Sequence, residues 1–281
     1  MTTKLRCKVS IELFWGLALW IFALIMFVCW AIPQHSLAES KPITLTLAIN
    51  APGSAPYLYL DETSQTYQGA VMDFFKSLSY ESNIQIELLE TSRSRIERFT
   101  RTGVNDVFLS SQAWLSSPEG FVFSEPFIEH KSYLYSSQPF KSDFALASLK
   151  NALVCTRYGY TYPVLQEYFE KGTMIRVNSS SQATMTSMLV KNRCDFAIMN
   201  EYNARSAFLS TLDCNHTFYQ SPTIVSKVDL VFVVNATKQR YVKDINQHLM
   251  NFIQSGQRDK AMLEHTGGFS FPFRAACSVN E

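Results

Sequence analysis

Residues 42–111 alternate strand-like and helix-like runs in the order β-α-β-α-β, and residues 151–200 repeat that order. More than any single motif, this double alternation restricts the chain to a layered α/β architecture. In "PITLTLAIN", Ile43, Leu45, Leu47 and Ile49 recur at every second position, the period of a strand with one face in a core. In "QGAVMDFFKSLSY", Val71, Phe74, Phe75 and Leu78 fall at i, i+3, i+4 and i+7, which makes one apolar helical face. "IQIELLE" is strand-like, "SRSRIERFTRTG" a short helix closed by Gly103, and "NDVFLSS" a short apolar strand. The second unit runs "NALVCTR", "TYPVLQEYFEKG", "TMIRVN", "SSSQATMTSMLVKN" and "CDFAIMN", its second helix opened by serines able to cap free amides.

Two such units predict two α/β lobes, each built on a largely parallel sheet. "HKSYLYSS" is an extended segment suited to crossing between them, and "KVDLVFVVN" predicts a second crossover that returns the chain to the first lobe. "QRYVKDINQHLMNFIQSG" then places Val242, Ile245, Leu249 and Phe252 along one helical face, before a second helical piece and the aromatic tail "FSFPF".

The first residues differ in kind. Lys4, Arg6 and Lys8 precede an uncharged run from Leu13 to Ile32, and "QHSLAES" follows with Ser36 and Ala38 at small-residue positions. That pattern is an export signal, residues 1–38, with cleavage after Ala38; an uncleaved anchor is the alternative, since the run approaches the ~20 residues that cross a bilayer. Charge is balanced, 25 Lys+Arg against 24 Asp+Glu, which gives no basic face for nucleic acid. Outside the signal lie Cys155, Cys194, Cys214 and Cys277, whose spacing is not that of a zinc site and which allow three pairings in an oxidising compartment.

No G-x-S-x-G and no P-loop is present, and the five histidines stand at no metal-ligand spacing, so neither a cofactor nor a metal is expected. Binding is the better reading. Ligands of α/β sheets collect at the carboxyl ends of strands, where helix amino-termini present unpaired N–H groups. The segments at those ends, "NAPGSAPYLY", "TSRSR", "SSQAW", "RYGYTY", "NSSS" and "NEYN", are rich in Tyr, Ser, Asn and Arg. Such groups suit a small polar solute, with aromatics closing over it and arginine holding an anion.

The succession "LTLAINAPGSAPYLYLDETSQTYQGAVMDFF", "GVNDVFLSS", "FVFSEPF", "ALVCTRYGY", "RCDFAIMNE" and "DINQHLMNFIQSG" resembles the family 3 extracellular solute-binding proteins of bacterial uptake transporters. The resemblance implies a two-lobe periplasmic-binding-protein-like fold of type II, α/β, with two hinge crossovers. It divides the exported chain into a first lobe of residues 39–134 plus 235–281 and a second of 135–234. It implies a periplasmic monomer that clamps a small solute, amino-acid-like or an organic acid, and presents it to a membrane permease or sensor. In "FVFSEPF", Phe121, Phe123 and Phe127 are then packing residues, and Glu125 is structural.

Two departures bear on the ligand. Amino-acid-binding members carry a Thr and a P-E-R arginine that forks onto the α-carboxylate, where this chain has Ala113 and Gly120; the acid that takes the α-ammonium is replaced by Asn200, one residue before Glu201. Arg93, Arg95 or Arg157 can replace the missing arginine. The contacts expected are Tyr57, Tyr59, Arg95, Ser110, Ser111, Arg157, Tyr160, Thr161 and Asn200. The glutamate-receptor relatives of the family imply a disulfide between Cys214 and Cys277. A rival reading is a periplasmic dehydratase using Glu201 or Glu125 as acid or base, and a third is an interaction domain that binds no solute.

Overall fold

The computed structural model describes residues 41–210, 216–266 and 270–275. The signal segment and both Cys214 and Cys277 lie outside the described residues. Among the described residues, no helix is long and apolar enough to cross a membrane.

The first unit is β1 (Ile43–Asn50), α1 (Ala70–Glu81), β2 (Ile84–Thr91), α2 (Arg93–Arg101) and β3 (Val107–Ser110), followed by the short β4 (Phe121–Phe123) and the long β5 (Ile128–Ser136). The second is β6 (Ala152–Arg157), α3 (Pro163–Glu170), β7 (Met174–Ser179), α4 (Gln182–Val190), β8 (Phe196–Asn200) and α5 (Glu201–Leu209). The chain continues through β9 (Thr217–Gln220), β10 (Ser226–Asn235), α6 (Val242–Gln254), α7 (Gln257–Thr266) and β11 (Phe273–Arg274). One turn-like stretch of the sequence holds structure of its own: Gly53–Ser54, Leu58–Asp61 and Thr66–Gln68 form a small antiparallel sheet. Its strands have two to four residues each, too few to show a period.

The main path across the large sheet is β7-β6-β8-β5-β10-β3-β1-β2. Each end is parallel: β1 runs beside β2 from Ile43↔Ile84 to Asn50↔Thr91, and β6 beside β7 from Ala152↔Met174 to Arg157↔Ser179. The antiparallel strands β5 and β10 join the two ends. β5 pairs with β10 over Ile128–Ser132 and with β8 over Ser132–Tyr135, while β10 passes from β5 to β3 after Leu230. These strands are the two hinge crossovers.

Helices cover both faces, and the central β10 accordingly reads as a nearly continuous apolar run from Leu230 to Val234, whereas β1 and the edge strand β2 keep an alternation. In the first half, Leu47 and Phe232 meet Phe74, Phe75 and Leu78 of α1 and Ile245, Leu249 and Phe252 of α6. On the other face Ala48, Phe108 and Val233 meet Ile96 of α2 and Phe121. In the second half, Cys155 and Met199 pack with Met185, Leu189 and Phe208, and Val154 and Ile198 pack with Leu165 and Met174. Phe127 joins the first core and Phe123 packs against Phe108's cluster, while Glu125 is exposed. The tail turns away from α7, and β11 pairs with β9, seating Ala275 in the second core.

Cys155 and Cys194 are bonded to each other, with Cα atoms 5.7 Å apart. The bridge ties β6 to the loop that enters β8. It decides one of the open pairings, and both cysteines are buried.

Candidate functional site

The parallel strands of both halves point their carboxyl ends at a shared cavity of about 160 Å³. Asn50 closes β1, Ser110 closes β3, Arg157 closes β6 and Asn200 closes β8, and all four line it. Three helices start at the same place: Arg93, Pro163 and Gln182 are the first residues of α2, α3 and α4, and each is in the wall. Helix amino-termini carry partial positive charge from aligned peptide dipoles. Three positive ends therefore meet the cavity before any side chain is considered.

Arg157 is the side chain that dominates this field. It is 4% exposed, lies with its guanidinium 5.1 Å from the centroid of the Tyr160 ring, and donates from Nη1 to Oε1 of Gln182. Its Nε is buried with no partner, and among the described residues it forms no ion pair with a carboxylate. A buried cation without an anion is costly unless something else supplies one. Arg93 also lines the wall, but it is committed to Glu97, 3.6 Å away.

Of the other expected contacts, Tyr57, Ser110, Tyr160, Thr161 and Asn200 line the cavity, and Tyr59, Arg95 and Ser111 do not. The reasons are local. Residues two apart on a helix point about 200° apart, so once Arg93 faces inward Arg95 is turned to solvent, where it is exposed. Ser111 is buried and accepts from the backbone N–H of Ala113 at 3.4 Å, capping the turn Gln112–Trp114. Tyr59 is directed away, with its hydroxyl 3.1 Å from Nδ1 of His265, whose Nε2 is 2.9 Å from Oδ2 of Asp73.

Asn200 has a different task from that of a free ligand group. Its Oδ1 accepts from the N–H of Tyr202 at 2.8 Å and of Asn203 at 3.4 Å, which caps α5, and from the Tyr57 hydroxyl at 3.1 Å. Its Nδ2 donates to the Lys131 carbonyl at 3.0 Å. The bond to Tyr57 runs from one half of the molecule to the other. A second bond of this kind joins Nδ2 of Asn203 to Oγ of Ser54 at 3.1 Å, and the same nitrogen donates to the Ala55 carbonyl.

His130, Trp114, Gln182 and Asn203 are wall residues that sequence reasoning did not single out. Trp114 and Gln182 lie in or beside the polar strand-end segments "SSQAW" and "NSSS", so the signal existed at segment level. His130 lies within a crossover strand, where nothing in the sequence marks it. It sits 3.2 Å from the Tyr57 hydroxyl and edge-to-face with Trp114 at 5.0 Å, and desolvation pushes its imidazole down to about 3. It is neutral at ordinary pH. Burial also raises the Tyr57 phenol well above its usual range, with Tyr202 and Glu201 adding to the effect.

No protein-family model matches the sequence, and no curated protein matches it. Solved structures do. The chain superposes on a probable amino-acid ABC transporter extracellular-binding protein from Bacillus subtilis with a TM-score of 0.66, at 16% identity, over 81% of this chain and 99% of that one. The fold is that of a two-lobed periplasmic binding protein. A Salmonella typhimurium periplasmic binding protein of high arginine specificity gives 0.63 at 16% identity, over 80% and 99%. An ancestral amino-acid-binding protein, a precursor of cyclohexadienyl dehydratase, gives 0.60 at 17% identity, over 79% and 95%.

Proposed function

We propose that this protein is a periplasmic solute-binding protein that clamps a small polar or anionic solute between two lobes and delivers it to a membrane transporter or sensor. The observation that carries the reading is Arg157, a buried guanidinium that faces a cavity between the lobes and has no carboxylate partner among the described residues. The lobes are residues 39–134 with 235–281, and 135–234, except that the tail about Phe273–Arg274 crosses over to pack on the second. Tyr57, Ser110, Tyr160 and Thr161 are the remaining contacts, drawn from both lobes, so a bound solute favours the closed arrangement over the open one. The similar folds named above are consistent with this, since proteins described as ABC-transporter or periplasmic binding proteins share the architecture.

The cavity favours clamping over acid/base chemistry, because neither Glu201 nor Glu125 is among its lining residues. The test is a thermal-shift panel of amino acids, organic acids, polyamines and small peptides on the protein from Glu39 to Glu281. One class is expected to stabilise it in a concentration-dependent way, by about 2.7 kcal/mol at a hundredfold excess over Kd. A folded protein that no class stabilises would overturn the proposal.

A further inference from the structure

The walls of the cavity are unevenly supplied with charge and hydrogen-bonding capacity. Two arginines line it, and none of the lining residues is Asp or Glu. The acceptors that remain for an ammonium group are neutral, hydroxyls such as those of Ser110 and Thr161, and several of the amide oxygens are already engaged. Asn50 Oδ1 takes the backbone N–H of Arg93 at 3.0 Å, Asn200 Oδ1 takes three donors, and Gln182 Oε1 takes Arg157. The Tyr57 hydroxyl, its proton given to Asn200, takes a further donor from Nδ1 of the neutral His130. The charge left without a partner is positive: the buried Nε of Arg157 has none. The rest of the wall includes the apolar side chains of Phe108, Trp114 and Ile198.

We infer that the ligand is a small carboxylic acid with an apolar body and no ammonium group, its carboxylate held by Arg157. A guanidinium presents paired N–H donors that match a planar carboxylate, so the group left unpaired in the protein is the group such a ligand satisfies. An α-amino acid would satisfy it equally well, but its ammonium would be buried beside two arginines and without an anion. Leaving a buried charged group unpaired weakens binding by roughly 30-fold or more. This inference rests on the solute-binding reading and narrows it.

The experiment compares amino acids with their deaminated counterparts by calorimetric titration: L-phenylalanine with 3-phenylpropanoate, L-leucine with 4-methylpentanoate, and further pairs covering polar and acidic bodies. In at least one pair the deaminated acid should bind about 30-fold or more tightly than the amino acid, and Arg157→Gln should abolish that binding while circular dichroism stays unchanged. Arg157→Lys, which keeps the charge and loses the fork, is expected to bind at least tenfold more weakly than the native protein, and it replaces the glutamine variant if that one fails to fold. Amino acids that bind as well as or better than their counterparts overturn this inference and leave the uptake reading standing. Binding that survives both Arg157 substitutions overturns the assignment of the carboxylate. No binding by either member of any pair overturns this inference, and the uptake reading falls with it only if the wider thermal-shift panel is flat as well.

Discussion

A single imidazole sets part of the pH response. His130 is held neutral by desolvation, with its value pushed down to about 3, whereas in the unfolded chain it titrates near the ordinary ~6.5. As pH falls below ~6.5 the unfolded state takes up a proton that the folded state refuses, so stability is lost progressively down to about 3. His130→Gln should therefore lose about 2–3 kcal/mol less stability than the native protein between pH 7 and pH 4, measured by urea denaturation. None of this was legible beforehand, because a histidine in an alternating strand carries no mark of what lies opposite. The arginines show the same limit. "TSRSR" located the right loop, but helical phase decided that Arg93 and not Arg95 meets the cavity, and phase depends on which face Ile96 buries.

At the scale of elements, periodicity was sufficient where packing is one-sided and runs are long. The α1 face of Val71, Phe74, Phe75 and Leu78 and the α6 face of Ile245, Leu249 and Phe252 are buried as their spacing requires. Phe74→Ala, which empties a site enclosed by Phe75, Phe127, Phe232 and Phe252, should cost about 3–5 kcal/mol in chemical denaturation. The bond between Cys155 and Cys194 was not legible, since a separation of 39 residues says nothing of distance until β6 and β8 are known to be neighbours. Closing a loop of that length stabilises by about 2–4 kcal/mol. The double variant Cys155→Ala, Cys194→Ala should show that loss under oxidising conditions, and a reductant should lower the Tm of the native protein by more than that of the variant.

For the whole molecule, the two βαβαβ units dictated two lobes, and the crossover strands β5 and β10 supply the link between them. The contacts that hold the lobes together could not be read from the sequence, because they join residues some 150 positions apart and involve no solute: Tyr57 to Asn200, and Asn203 to Ser54 and Ala55. Removing one by Asn203→Ala should shift the solute-free protein toward the open state, seen as a larger radius of gyration by small-angle scattering, and should leave the α5 cap intact because Asn200 supplies it.

These solute-independent bonds also set a clock. A molecule arriving at closed lobes must wait for them to part, so the observed association rate should climb with solute concentration only until it meets the opening rate, and then level off. In Asn203→Ala the plateau should be higher or absent. Stopped-flow fluorescence from Trp114, which lines the cavity, would display the two regimes directly.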